Sequence, residues 1–110
     1  MMHHFVLINP GRNDAVCPSG LQGQLGERFF ASGNERTHAH LPKPYGYYNA
    51  AGQSTWRLIY HLVNKAPVQK KLSIQIYYKF RTDAPTAKES KPLWLDVDGC
   101  GDSELSLIHI

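Results

Sequence analysis

Side chains alternate with a period of two along Lys71–Arg81. Leu72, Ile74, Ile76, Tyr78 and Phe80 fall on one face, and Lys71, Ser73, Gln75, Lys79 and Arg81 on the other. Only an extended chain sends successive side chains to opposite sides, so the pattern predicts a half-solvated antiparallel strand. The same period recurs over Thr55–Asn64. There Trp56, Leu58, Tyr60 and Leu62 share one face, and Arg57, Ile59, His61 and Val63 the other. No stretch shows a persuasive helical period.

Phe5-Val6-Leu7-Ile8-Asn9 is a short apolar, partly β-branched run closed by the breaker cluster Pro10-Gly11-Arg12-Asn13-Asp14. It predicts a buried first strand. Glu27–Ala31 reads as a short strand or an irregular stretch. Thr37–Leu41 reads as extended up to Pro42-Lys43-Pro44, where proline restricts it to an edge or a strand end. Tyr45–Tyr48 is a strand or the wall of a site, Thr82–Pro92 a polar loop, and Leu93–Val97 the last strand. Short strands separated by turn signals predict an all-β fold, an antiparallel β-sandwich or jelly roll.

At 110 residues the chain holds one domain at most. Both ends read as cut. The first strand begins with almost no lead-in. Leu105-Ser106-Leu107-Ile108-His109-Ile110 is what CTGTCTCTTATACACATC encodes, a sequence similar to a transposase mosaic-end adaptor. The expectation is a single domain over residues 1–104, with 105–110 as adaptor read-through and His109 excluded as a ligand. The net charge of +3 is spread along the chain, with Lys70-Lys71 and Lys88/Lys91 the only concentrations. A nucleic-acid footprint would need a clustered basic patch. There is no apolar run long enough to span a membrane and no signal-peptide pattern.

Three histidine features carry potential chemistry. His3-His4 stands at the mouth of the first strand, and neutral imidazole is the commonest metal ligand among side chains. Adjacent strand residues point to opposite faces, so both rings can reach one metal only where the strand departs from strict alternation. His61 lies mid-strand between Ile59 and Val63. There an unpartnered imidazole would be costly to desolvate, a cost that a hydrogen bond from a core histidine to backbone meets. His38-Ala39-His40 would place two rings on one face of a strand, or be exposed in a proline-bordered loop. Asp96-Val97-Asp98-Gly99 resembles the start of a calcium loop but lacks the flanking helices, and a turn at a strand end is the better reading. Cys17 and Cys100 are the only cysteines and lack C-x-x-C spacing. They are either a long-range disulfide of a secreted sandwich or two buried thiols.

Taken in order, His3-His4-Phe5-Val6-Leu7, Cys17, Phe29–Asn34, Leu41-Pro42-Lys43-Pro44-Tyr45-Gly46-Tyr47 and Leu58–Asn64 with His61 resemble the first domain of the copper type II, ascorbate-dependent monooxygenases. Peptidylglycine hydroxylating and dopamine β-monooxygenases are the familiar members. Pro44 stands where that family favours Gly. The resemblance implies that His3, His4 and His61 hold one copper, the electron-storing site. It also implies a secreted protein whose second domain, absent here, would carry a His-x-His and Met copper site. The fragment alone would then hydroxylate nothing, and its small-molecule or peptide substrate is left open. The competing reading is a non-catalytic sandwich, a structural or ligand-binding module, with Tyr45, Tyr47, Tyr48 and Trp56 as an aromatic surface.

Overall fold

Strand β1 (Met2–Asn9) is the centre of the fold: it pairs antiparallel with β2 (Glu27–Ser32) on one side and β4 (Arg57–Leu62) on the other. The computed structural model describes residues 2–20, 25–34, 36, 38–50, 52–82, 87–95 and 100. β3 (Tyr45–Gly46) and β5 (Lys88–Glu89) form a separate parallel pair. Among the described residues there is no helix, and so none long and apolar enough to cross a membrane. The described residues are all-β, as the sequence predicts.

Register assigns side chains to the two faces of the β2-β1-β4 sheet, because residues directly opposite one another share a face. On one face Phe5 is opposite Tyr60 and Ser32, and Leu7 opposite Leu58 and Phe30. Phe5 and Leu7 are buried there, and Phe29, Phe30, Trp56, Leu58, Ile74 and Ile76 pack against them. A register shift between Leu7 and Ile8 leaves Phe29 without a direct partner on β1. Such a bulge re-aims side chains, and it lets the adjacent Phe29 and Phe30 both serve this core. Phe29 stacks on Tyr47 with centroids 4.6 Å apart and meets Trp56 edge-on at 5.0 Å.

On the other face His4 is opposite His61, Val6 opposite Ile59 and Ala31, and Ile8 opposite Arg57 and Arg28. Ion pairs hold the loops to this framework. Asp14 receives Arg28 Nε at 2.8 Å and Nη2 at 3.1 Å, and caps the backbone N–H groups of Val16, Cys17 and Arg28. Burial pushes the Asp14 carboxyl up, but the Arg28 guanidinium and these N–H donors outweigh it and hold the group well below the usual carboxylate range. Glu27, fully buried, accepts from Arg12 Nε at 2.8 Å and the Tyr47 hydroxyl at 2.6 Å, and pairs with Lys91. Burial works against its ionisation too, but Lys91, Tyr47 and Arg12 keep it ionised. Cys17 and Cys100 form a disulfide, with Cα atoms 5.5 Å apart. Just before β2 the chain turns at Gly26 (φ 134°), where a Cβ would come within 2.5 Å of Ile8 Cγ2; only glycine fits.

Several predicted strands are not ladders. Lys71–Arg81 forms no strand among the described residues. Its period survives as burial: Ile74 and Ile76 are half-buried against the core while Ser73, Gln75 and Tyr77 are exposed. Alternation reports which side chains seek the core, but a strand also needs a backbone partner. Thr37–Leu41 is likewise unpaired where described, and so are residues 93–95. Val97, the Asp96–Gly99 turn and Leu105–Ile110 lie outside the described residues. Conversely, β5 falls inside the expected polar loop. Lys88 N–H donates to Pro44 O and Ser90 N–H to Gly46 O, while Glu89 pairs with Arg12. Ion pairing and backbone bonds make this element, so no apolar pattern announces it.

Asp14 and Arg28 give a direct test. Arg28→Met strips a buried carboxylate of its counter-charge and should cost ~3–5 kcal/mol of unfolding free energy. Because the folded Asp14 is more acidic than the unfolded one, its contribution is complete above the unfolded value of about 3.9 and is lost as pH falls below it. Urea unfolding from neutral pH to pH 3 should therefore show a shallower acid dependence in Asp14→Asn than in wild type. Parallel curves would contradict this assignment.

Candidate metal centre

The histidine cluster is a product of β1–β4 register. Met2 is opposite Leu62 and His4 opposite His61, so two steps along β1 match one step along β4 and His3 is the extra residue. A bulge of this kind bends the strand and turns a side chain out of alternation. This is the departure required for neighbouring histidines to meet. His3 Nδ1 lies 3.0 Å from both His61 Nδ1 and His4 Nδ1, and the potential ligand atoms of the three lie within 4.8 Å of one another. The ring centroids are 4.7–5.2 Å apart, steeply inclined rather than stacked. His4 is half-buried and His61 exposed, so the cluster sits at the rim of the sheet.

The donor set fits a transition metal. In a neutral ring each Nδ1 carries either a proton or a lone pair. The single site on His3 Nδ1 therefore cannot make a full hydrogen bond to both neighbours at once. A cation instead takes a lone pair from all three. Small ring rotations would bring three nitrogens this close to a metal–imidazole length of about 2.0–2.1 Å. Imidazole suits copper, zinc, iron and nickel, and copper binds such sites most tightly among the divalent ions. A carbonyl or carboxylate on the remote nitrogen of at least one ring is expected of such a site. Among the described residues the three rings bond only to one another.

His38 and His40 are exposed and belong to no cluster of three or more potential ligands among the described residues. His109 lies outside them. Of the four aromatic residues considered as a surface, Tyr47 and Trp56 are turned inward. Tyr47 stacks on Phe29 and donates to Glu27, and Trp56 packs on Phe29 and donates to Asn49 Oδ1. Burial, reinforced by that bond to Glu27, raises the Tyr47 hydroxyl above its ordinary range. Tyr45 and Tyr48 remain exposed.

Sequence reasoning missed Trp94 and Arg28. The Arg28 guanidinium lies 4.7 Å from the centre of the Trp94 ring, and Trp94 Nε1 donates to Arg28 O at 2.9 Å. No short-range pattern links residues 28 and 94. The only signal was an apolar indole within Leu93–Val97, the strand expected last.

No protein-family model matches the chain, and no solved structure matches it. Two curated proteins do. The chain is 28% identical over 108 residues to the probable copper-dependent oxygenase M1 of Phoma sp., covering 94% of this chain and 27% of that protein. It is 28% identical over 109 residues to the probable copper-dependent oxygenase clz3 of Cochliobolus lunatus, covering 94% of this chain and 34% of that protein. The chain is thus remotely related to proteins named as copper-dependent oxygenases, and spans about a quarter to a third of their length.

The geometry has its own test. On adding Zn(II), long-range ¹H–¹⁵N spectra should show the Nδ1 resonances of His3, His4 and His61 shifting together, with His38 and His40 unmoved. Shifts confined to His38 and His40 would contradict the cluster.

Proposed function

We propose that this chain is the first domain, a β-sandwich or jelly roll, of a secreted copper-dependent oxygenase-like protein, and that His3, His4 and His61 hold its electron-storing copper. The single observation behind this reading is the convergence of three Nδ1 atoms from two paired strands. The relationship to proteins named as copper-dependent oxygenases favours copper over other metals that imidazole suits. Bound copper would supply a one-electron redox couple. The chain's part is to orient the rings: the bulge aims His3, the cross-strand pairing sets His4 against His61, and the buried residues of β1 hold that strand in place.

The disulfide supports an oxidising compartment, where such bonds persist. A second domain would complete the enzyme, and the exposed Leu72, Tyr78 and Phe80 offer apolar surface for it. Substrate binding and oxygen chemistry are assigned to that further domain, so this chain alone binds copper without turnover.

Copper titration of the purified chain tests the reading. Wild type and His38→Ala should bind one copper per chain with equal affinity. His61→Ala should bind at least ~100-fold more weakly, since losing a ligand costs more than losing the partner that orients one. Equal affinity in wild type and His61→Ala would reject the site.

A further inference from the structure

Beside the histidines, on the His4–Val6–Ala31 face of the sheet, an open depression of about 320 Å³ is lined by His4, Phe5, Val6, Ala31, Ser32, Gly33 and Trp94. We propose that it binds a small, neutral, planar organic ligand against Trp94. The proposal goes beyond the copper reading and does not depend on it.

Three observations carry it. Among the described residues the lining is mostly apolar and includes no carboxylate, lysine or arginine, so none of them would repay the desolvation of a charged ligand. Its volume is at the small end of the range that holds small molecules, roughly 300–1,000 Å³. The Trp94 wall is fixed before any ligand arrives. Its N–H is held by Arg28 O, and the Arg28 guanidinium lies 4.7 Å from its ring centre. Arg28 is in turn clamped by buried Asp14 and donates to Cys17 Sγ of the disulfide at 3.5 Å. A rigid aromatic wall loses little freedom on binding and favours offset or edge-on contact with another flat ring. A planar ligand gains from this wall what a puckered one of equal size does not.

Indole is the probe, added to the full 110-residue chain in EDTA so that no metal takes part, and ¹H–¹⁵N spectra are the readout. The expected result is saturable shifts of Trp94 Nε1–H and the Val6, Ala31 and Gly33 amides. Trp56 Nε1–H, whose ring packs with the opposite-face core, should stay still. Cyclohexanol should bind at least tenfold more weakly than phenol, the planar ring of equal size. Trp94→Ala should weaken indole at least tenfold. Ala31→Leu, which fills the depression and leaves Trp94 and its anchors in place, should do the same and covers the case in which Trp94→Ala fails to fold. Non-saturable shifts, shifts centred on Trp56, equal binding of cyclohexanol and phenol, or undiminished affinity in Ala31→Leu would each overturn the proposal. Since copper is absent throughout, its failure would leave the copper titration standing, and the reverse also holds.

Discussion

The register of β1 against β4 is the constraint on which the candidate site rests. Antiparallel pairing puts His4 directly across from His61, at a spacing where opposed side chains touch. A one-residue slip would send one of the two rings to the Phe5–Leu7 face. Buried apolar groups resist that slip. Phe5 and Leu7 belong on one face and Ile8 on the other, and all three are nearly inaccessible to solvent. The core residues of β1 therefore also locate the imidazoles. The bulge at His3 adds the third ring without disturbing the register below it.

Charge clamps support the other end of the strand. Glu27 and Arg28 are neighbours on β2, and both are buried. Glu27 gathers Arg12, Tyr47 and Lys91, drawing together the segments that follow β1, β3 and β5. Arg28 gathers Asp14, Cys17 and Trp94. Removing one partner from such a buried pair leaves an uncompensated charge, so these ion pairs specify an arrangement more than they add stability. With few strands and a small apolar core, the loops depend on these bonds and on the disulfide for their positions.

The strands richest in apolar and β-branched residues were legible in the sequence. Phe5–Asn9 and Thr55–Asn64 coincide with β1 and β4 over most of their length, and the need for irregularity at His3-His4 followed from side-chain alternation alone. The proximity of Cys17 and Cys100 was one of two readings left open. What was not legible depends on partners far away in the chain. Lys71–Arg81 has a strand's pattern and no ladder among the described residues, because alternation turns Ile74 and Ile76 to the core but supplies no backbone partner. Lys88–Glu89 has no strand pattern and forms one, because Pro44 and Gly46 supply the carbonyls. Arg28 and Trp94 are 66 residues apart, and their contact is set by topology rather than by any local spacing.

The central claim is that three imidazoles from two strands share one copper. X-ray absorption of the copper-loaded chain reads that coordination directly. The account predicts a first shell with three imidazole nitrogens at about 2.0 Å, falling to two in His61→Ala. A first shell with fewer than three imidazoles, or one unchanged by His61→Ala, would contradict it.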